Sequence, residues 1–182
     1  MLGSARHEQD PSLLPVYDLL GEFPEFPQPG VRFVDIFPIF RSVDATTTVI
    51  DRFAEYLKDK SVDVIVGLEA RGFLFAPLVA VRLGISFVPI RKEGKLPGAC
   101  YKAIYEKEYG PDTFELQKDS IQVGARVAIM DDVFSTGGTA AAAERLIRMA
   151  GATVVADVFI IQGKNSNDAG VLQAPTYSLF SV

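Results

Sequence analysis

The chain is poor in cysteine, in positive charge and in long apolar runs. Cys100 is the single cysteine among 182 residues, so no internal disulfide can form, which fits a reducing compartment. The formal net charge is -5 and the sequence pI is about 4.9. No broad positive field is therefore available to neutralise a nucleic-acid backbone or an anionic membrane surface, and any phosphate must be met locally. No apolar stretch is long enough to cross a bilayer, and the charged start at Arg6, His7, Glu8 and Asp10 lacks the apolar core of a secretory signal. The expectation is a cytoplasmic protein with no nucleic-acid and no membrane partner. Repeats, low-complexity tracts and blocks of like charge are also missing. A hydrophobic content of 48% at this length is enough to bury one core, so a single domain over residues 1–182 is expected, with only the first dozen residues loosely held.

What is present is an alternation. Apolar runs at residues 62–66, 86–90, 127–130 and 153–161 are short and rich in valine and isoleucine, as in strands buried on both faces. Helical patterns lie between them at 46–58, at 73–83 closed by Gly84, and at 140–149 closed by Gly151. This predicts an α/β fold with a central, mostly parallel sheet flanked by helices, in which ligands meet the residues just beyond the strands' carboxyl ends. Two segments break the alternation. Residues 20–42 are too proline-rich for a regular helix or a central strand. Residues 91–124 form a long connection of the kind that is either functional or disordered. Both are expected to belong to the active site, whereas residues 163–182 carry no motif and read as edge structure.

The most informative stretch runs from Val127 to Thr139 and reads as strand, acidic pair, loop, helix. Gly137 and Gly138 let backbone approach an anion, and the free amides of the first helical turn supply donors. Ser135, Thr136 and Thr139 add hydroxyls. The loop has neither the lysine of a P-loop nor the Gly-x-Gly of a dinucleotide turn. Asp131 and Asp132 would repel a phosphate unless they faced something neutral or cationic, and the vicinal hydroxyls of a ribose 5-phosphate answer that. The alternative is a Gly-Gly turn that only caps a helix, beside two surface aspartates.

Ile129-Met130-Asp131-Asp132-Val133-Phe134-Ser135-Thr136-Gly137-Gly138-Thr139 resembles the ribose-phosphate signature of the type I phosphoribosyltransferases. From Phe23 to about Ile161 the chain resembles the adenine-specific branch of that family. Phe23-Pro24-Glu25-Phe26-Pro27-Gln28-Pro29-Gly30-Val31 with Phe33, Asp35 and Ile36 is similar to its base-binding hood, at about residues 20–42. Gly67-Leu68-Glu69-Ala70-Arg71-Gly72-Phe73 is similar to its pyrophosphate loop. Ile90 to Gly98 and Tyr109 to Asp119 are similar to its lid region, expected as a mobile lid at about 98–115.

The resemblance implies roles. Ser135, Thr136, Gly137, Gly138 and Thr139 would bind the 5-phosphate, and Asp131 and Asp132 the ribose hydroxyls. Backbone groups of Arg32 and Val34 would read adenine while Phe33 stacks on it; taken alone, Phe33 is equally a core residue. Relatives usually carry arginine at Val34, which leaves only a backbone contact there. Glu69, Ala70, Arg71, Arg91, Lys95 and Tyr109 would hold pyrophosphate, Arg91 reaching in from a second subunit. The family's non-proline cis peptide would fall at Glu69-Ala70, where the usual Asp-Ser pair is replaced. Taken alone, Arg91, Lys92 and Lys95 also read as a solvated face, and Glu93 weakens their field. Matching Glu-Tyr-Gly makes Glu108 the catalytic glutamate, a choice over Glu106 that the residues alone do not make.

The implied activity is transfer of the 5-phosphoribosyl group from 5-phosphoribosyl 1-diphosphate (PRPP) to adenine, giving AMP and pyrophosphate. It would need Mg2+ held mainly through PRPP and water, with no protein metal site, and a homodimer. The alternatives are the same reaction on a 6-oxopurine, whose oxo group asks for different donors, and a PRPP-sensing regulator. The acidic chain, without a DNA-binding extension and with its lid glutamate, speaks against the regulator.

Overall fold

The computed structural model describes residues 2, 9–107, 110–163 and 170–182. Its main sheet has seven strands in the order β5-β6-β4-β3-β7-β8-β9. Five of these, β3 (Val64–Leu68), β4 (Ser86–Lys92), β7 (Arg126–Phe134), β8 (Thr153–Gln162) and β9 (Thr176–Ser181), run parallel. β5 (Cys100–Lys107) and β6 (Gly110–Gln117) form an antiparallel hairpin added beyond β4. A separate two-stranded sheet pairs β1 (Gly21–Pro24) with β2 (Arg32–Asp35).

The central strands are valine-rich because both of their faces are covered. In β3, Ile65 faces a core shared with α2 (Val43–Leu57) and α3 (Ala76–Leu83), while Val64, Val66 and Leu68 face α4 (Gly138–Met149). In β7, Ala128 and Met130 take the first side, Val127 and Ile129 the second. That two-residue alternation fills both layers, and each fully buried leucine, isoleucine or phenylalanine contributes about 1.5–3 kcal/mol. α1 (Leu14–Tyr17) joins the first core through Val16 and Tyr17.

The expected strands and helices are present with shifted ends, and the shifts matter. β3 continues to Leu68 through Gly67, where a Cβ would stand 2.9 Å from Phe87 Cε2 and 3.0 Å from Ala76 Cβ, so only glycine carries the strand that far. β7 continues to Phe134, so Asp131 and Asp132 lie within the strand and not in the loop after it. The 91–124 connection is not a loose loop in its described part: β5 and β6 stay paired from Cys100↔Gln117 to Lys107↔Gly110. Arg145 of α4 holds that hairpin by donating to the Ile104 carbonyl at 2.5 Å. The described residues that follow the start, from Gln9 on, are held by the fold. Leu13 is buried, and Gln9 donates to the Ser181 carbonyl at 2.8 Å, which docks the N-terminal segment on the outer strand β9. Residues 176–181 are that edge strand, as expected.

Candidate active site

The carboxyl ends of β3, β4 and β7 lie side by side, and each carries charge. On β7, Asp132 is 5% exposed. Arg71, in the single 3-10 turn after β3, brings its Nε to 2.9 Å from Asp132 Oδ2. That is an ion pair off the line a hydrogen bond needs, since Oδ2 has no hydrogen-bonded donor. Burial raises the pKa of both aspartates; at Asp131 the charge of Asp132 adds to the rise, and at Asp132 the Arg71 guanidinium offsets part of it. A buried and a half-buried acid with little donor support form a site for hydroxyl groups or a cation. The turn bearing Arg71 must lie tight on β7: a Cβ on Gly72 would sit 2.6 Å from the Met130 carbonyl oxygen.

Three residues past the strand the chain turns at Gly137, φ 77°, which is the N-cap of α4. Glycine offers no capping side chain, so the first-turn amides keep their donors for an anion, with the helix dipole behind them. Among the described residues, only Gly138 N–H of that turn has a neighbouring acceptor, Thr136 Oγ1 at 3.5 Å. Ser135 and Thr136 are exposed and Thr139 is half-buried beside them.

Beyond β3 the Glu69–Ala70 peptide bond is cis. The Glu69 side chain is 9% exposed and meets three donors: Lys95 Nζ at 2.5 Å, the backbone N–H of Lys92 at 3.0 Å and Arg91 Nε at 3.2 Å. Burial raises its pKa, but the hydrogen bonds from Lys95, Lys92 and Arg91 outweigh burial and hold it at about 2. Arg91 also donates to the Lys95 carbonyl at 3.2 Å. A permanently ionised Glu69 thus gathers the basic loop and cannot itself be an anion ligand through its carboxylate. Arg91 and Lys95 meet Glu69 of their own chain. Behind them Glu115, 4% exposed, accepts from Gly94 N–H at 2.9 Å and pairs with Lys102 at 3.1 Å.

The β1–β2 hairpin overhangs this edge. Phe23, Phe26, Phe33, Asp35 and Phe37 line a cavity of about 300 Å³. Phe33 is half-buried, edge-on to Phe26 at 5.2 Å, and carries the Arg71 guanidinium 5.3 Å from its ring centre. Phe33 is therefore a cavity wall and not a core residue, whereas Val34 points the other way into the core. An aromatic box of this size suits a planar heterocycle.

The family model of the phosphoribosyl transferase domain matches residues 42–181. The chain belongs to the phosphoribosyltransferase family. It is 45% identical over 166 residues to adenine phosphoribosyltransferase 1 of Saccharomyces cerevisiae, covering 89% of each chain. A crystal structure of the Saccharomyces cerevisiae adenine phosphoribosyltransferase, complexed with an imino-altritol bisphosphate and adenine, superposes with a TM-score of 0.87 at 42% identity, covering 98% of this chain and 99% of that one. The adenine phosphoribosyltransferase of Thermoanaerobacter pseudethanolicus gives a TM-score of 0.90 at 37% identity, covering 93% and 99%.

In this phosphoribosyltransferase the residues singled out from sequence fall into contiguous groups: Asp131, Asp132, Arg71 and Phe33 in one, Glu69, Arg91 and Lys95 in a second, and residues 135–139 at the head of α4. Arg32 is drawn aside, its Nε 2.6 Å from Glu22 Oε1. Glu108 and Tyr109 lie outside the described residues. Sequence reasoning placed Asp35 in the hood without giving it a role, and missed Phe37 as a cavity wall and Glu115 as a support of the basic loop. The signal for Phe37 was its alternation with Phe33 and Asp35 along a proline-bounded segment. Among the described residues no three His, Cys, Asp or Glu side chains gather as metal ligands, and no helix is long and apolar enough to cross a membrane.

Proposed function

We propose that the chain is an adenine phosphoribosyltransferase that makes AMP and pyrophosphate from adenine and PRPP in purine salvage. The observation that carries this reading is the juxtaposition, through Arg71, of an aromatic cavity with an acidic pair at one sheet edge. One accommodates a planar base and the other a sugar diol. The 5-phosphate docks on residues 135–139, the ribose hydroxyls on Asp131 and Asp132, and adenine between the β1–β2 hood and the sheet, stacked on Phe33 with backbone of Arg32 and Val34 along its edge.

The reaction is displacement at the anomeric carbon. The bond to the diphosphate oxygen breaks with its electron pair, the purine nitrogen attacks from the opposite face, and the ring proton leaves to a base, the role that the Glu-Tyr-Gly motif gives to Glu108. An oxocarbenium-like transition state asks for stabilisation of the departing charge. Arg71, Arg91 and Lys95, with backbone at Glu69 and Ala70 and with Tyr109, serve that need; guanidinium forks fit phosphate oxygens. A divalent cation would be held mainly by PRPP and water, with Asp131 and Asp132 as the nearest acids of the chain. Mg2+ entering with PRPP supplies charge screening of the diphosphate. The hairpin at about 98–115 acts as a lid that keeps water from the activated sugar. A homodimer and a cytoplasmic location belong to the same reading, the latter because PRPP, as a polyanion, does not cross bilayers.

The test is Mg2+-dependent formation of AMP and pyrophosphate with adenine and with hypoxanthine, in the native chain and in Glu108→Ala. Turnover with adenine that drops at least about a hundredfold in the variant is expected. Equal turnover with hypoxanthine overturns the base assignment, and binding of PRPP without turnover overturns the enzyme.

A further inference from the structure

On the α4 side of the sheet lies a buried polar cluster that the chemistry above does not use. Glu144 of α4 is 1% exposed. Its Oε1 accepts from the backbone N–H groups of Gln173 and Ala174, both at 3.0 Å, and its Oε2 accepts from Arg148 Nη1 at 3.4 Å. The same Arg148 nitrogen donates to Gln173 Oε1 at 3.0 Å. Asp157 of β8 is fully buried, and neither of its oxygens has a donor. Burial, then the charge of Glu144 and a hydrogen bond to it, push the Asp157 carboxyl up to about 9. At neutral pH Asp157 therefore keeps its proton.

Glu144 thus pins a segment distant in sequence. Residues 170–174 lie along α4, with Leu172 packed against Phe134, Ala140 and Phe159. Val171 reaches the anion loop itself: its Cγ1 lies 3.0 Å from where a Cβ on Gly137 would stand, and Phe134 Cε2 lies equally near. A glycine adopts φ 77° at little cost but leaves it as cheaply, because nothing of its own holds that conformation. What holds Gly137 is its packing, and half of that packing is anchored by Glu144.

We propose that Glu144 is a positioning residue for the 5-phosphate loop: by binding the Gln173 and Ala174 amides from within α4, it keeps Val171 against Gly137 and so sets the affinity for the sugar phosphate. This rests on the assignment of residues 135–139 as the 5-phosphate site. The clamp and the loop share one helix, Glu144 lying less than two turns from the N-cap, so movement of the segment is felt where the amides meet the anion. The adenine cavity, built on β1 and β2, shares no residue with this chain of contacts, and the two substrates should respond differently.

The experiment measures ribose 5-phosphate affinity by titration calorimetry, and KM for PRPP and for adenine, in native protein, Glu144→Ala, Glu144→Gln and Val171→Ala. Glu144→Ala is expected to weaken ribose 5-phosphate binding and raise the PRPP KM about tenfold, with the adenine KM changed by less than about twofold. Glu144→Gln, whose amide oxygen still accepts from Gln173 and Ala174, should recover most of the loss. Val171→Ala removes the contact with Gly137 at a half-exposed position without disturbing the buried pair, and should show the same split if Glu144→Ala fails to fold. Native ribose 5-phosphate affinity in Val171→Ala and in folded Glu144→Ala, or KM values that rise together for both substrates, overturns the positioning role and leaves the phosphate site standing. Native protein that does not bind ribose 5-phosphate overturns the phosphate site as well.

Discussion

β3 and β7 are neighbours in the sheet, and each delivers a carboxylate to the same edge, but the two ends are opposites. Glu69 after β3 is ringed by Lys95, Arg91 and the Lys92 amide and stays ionised down to about pH 2. Asp131 and Asp132 at the end of β7 are pushed upward by burial and have one cation, Arg71, between them. Position in the fold does not decide the state of a carboxyl; the balance of desolvation against donors does. The Glu69 cluster is internally satisfied and works as scaffolding for the basic loop. The aspartate pair is left short of donors, the condition that makes a site receptive to hydroxyls.

The sharpest way to break the comparison is Asp131→Asn/Asp132→Asn. Removing two adjacent acids of like charge should lower kcat/KM for PRPP at least about a hundredfold while raising the thermal midpoint, since the pair costs stability in the free protein. Steady-state kinetics and a melting curve on one preparation check both halves, and a lower midpoint would mean that the acids are structural. Next in size is Gly72→Ala. Its Cβ would press on the Met130 carbonyl, so the turn must move off β7 and take Arg71 from Asp132; a loss of about 1–3 kcal/mol in urea unfolding is expected.

The smallest effect is at the satisfied end. Glu69→Gln should reduce kcat/KM for PRPP about tenfold by loosening Arg91 and Lys95, with the adenine KM unchanged. Its pH dependence has a definite sign. The folded pKa of Glu69 lies below the unfolded value, so its contribution is complete above pH 4.5 and is lost as pH falls toward about 2. Native protein should therefore melt above the variant at pH 6, and the gap should close between pH 4.5 and 2. A gap independent of pH would show that the ion cluster contributes nothing to folding.

Much of this architecture was legible from short windows. Gly137-Gly138 after a valine-rich strand implies a tight turn into a helix, because backbone freedom and exposed amides are local properties. The parallel strands announced themselves as apolar runs because both of their faces are covered. The β5–β6 hairpin was not legible: its residues carry lysines, glutamates and tyrosines that look like loop, and they become strands only by pairing with each other and with β4. The anchoring of Gln9 and Leu13 was hidden for the same reason, since they are held by β9 and the core and not by their neighbours in sequence.

The sequence by itself determined the alternating fold, the anion loop with its acidic pair and the aromatic, proline-stiffened hood, all of which depend on residues within a dozen positions of one another. Only the tertiary structure decided that Glu69 gathers the basic loop, that Arg71 joins the acids to Phe33, and that Glu144 pins residues 173 and 174 behind Gly137. Those are contacts between segments about twenty residues or more apart, and the protonation of each carboxyl depends on the burial and the donors that such contacts create.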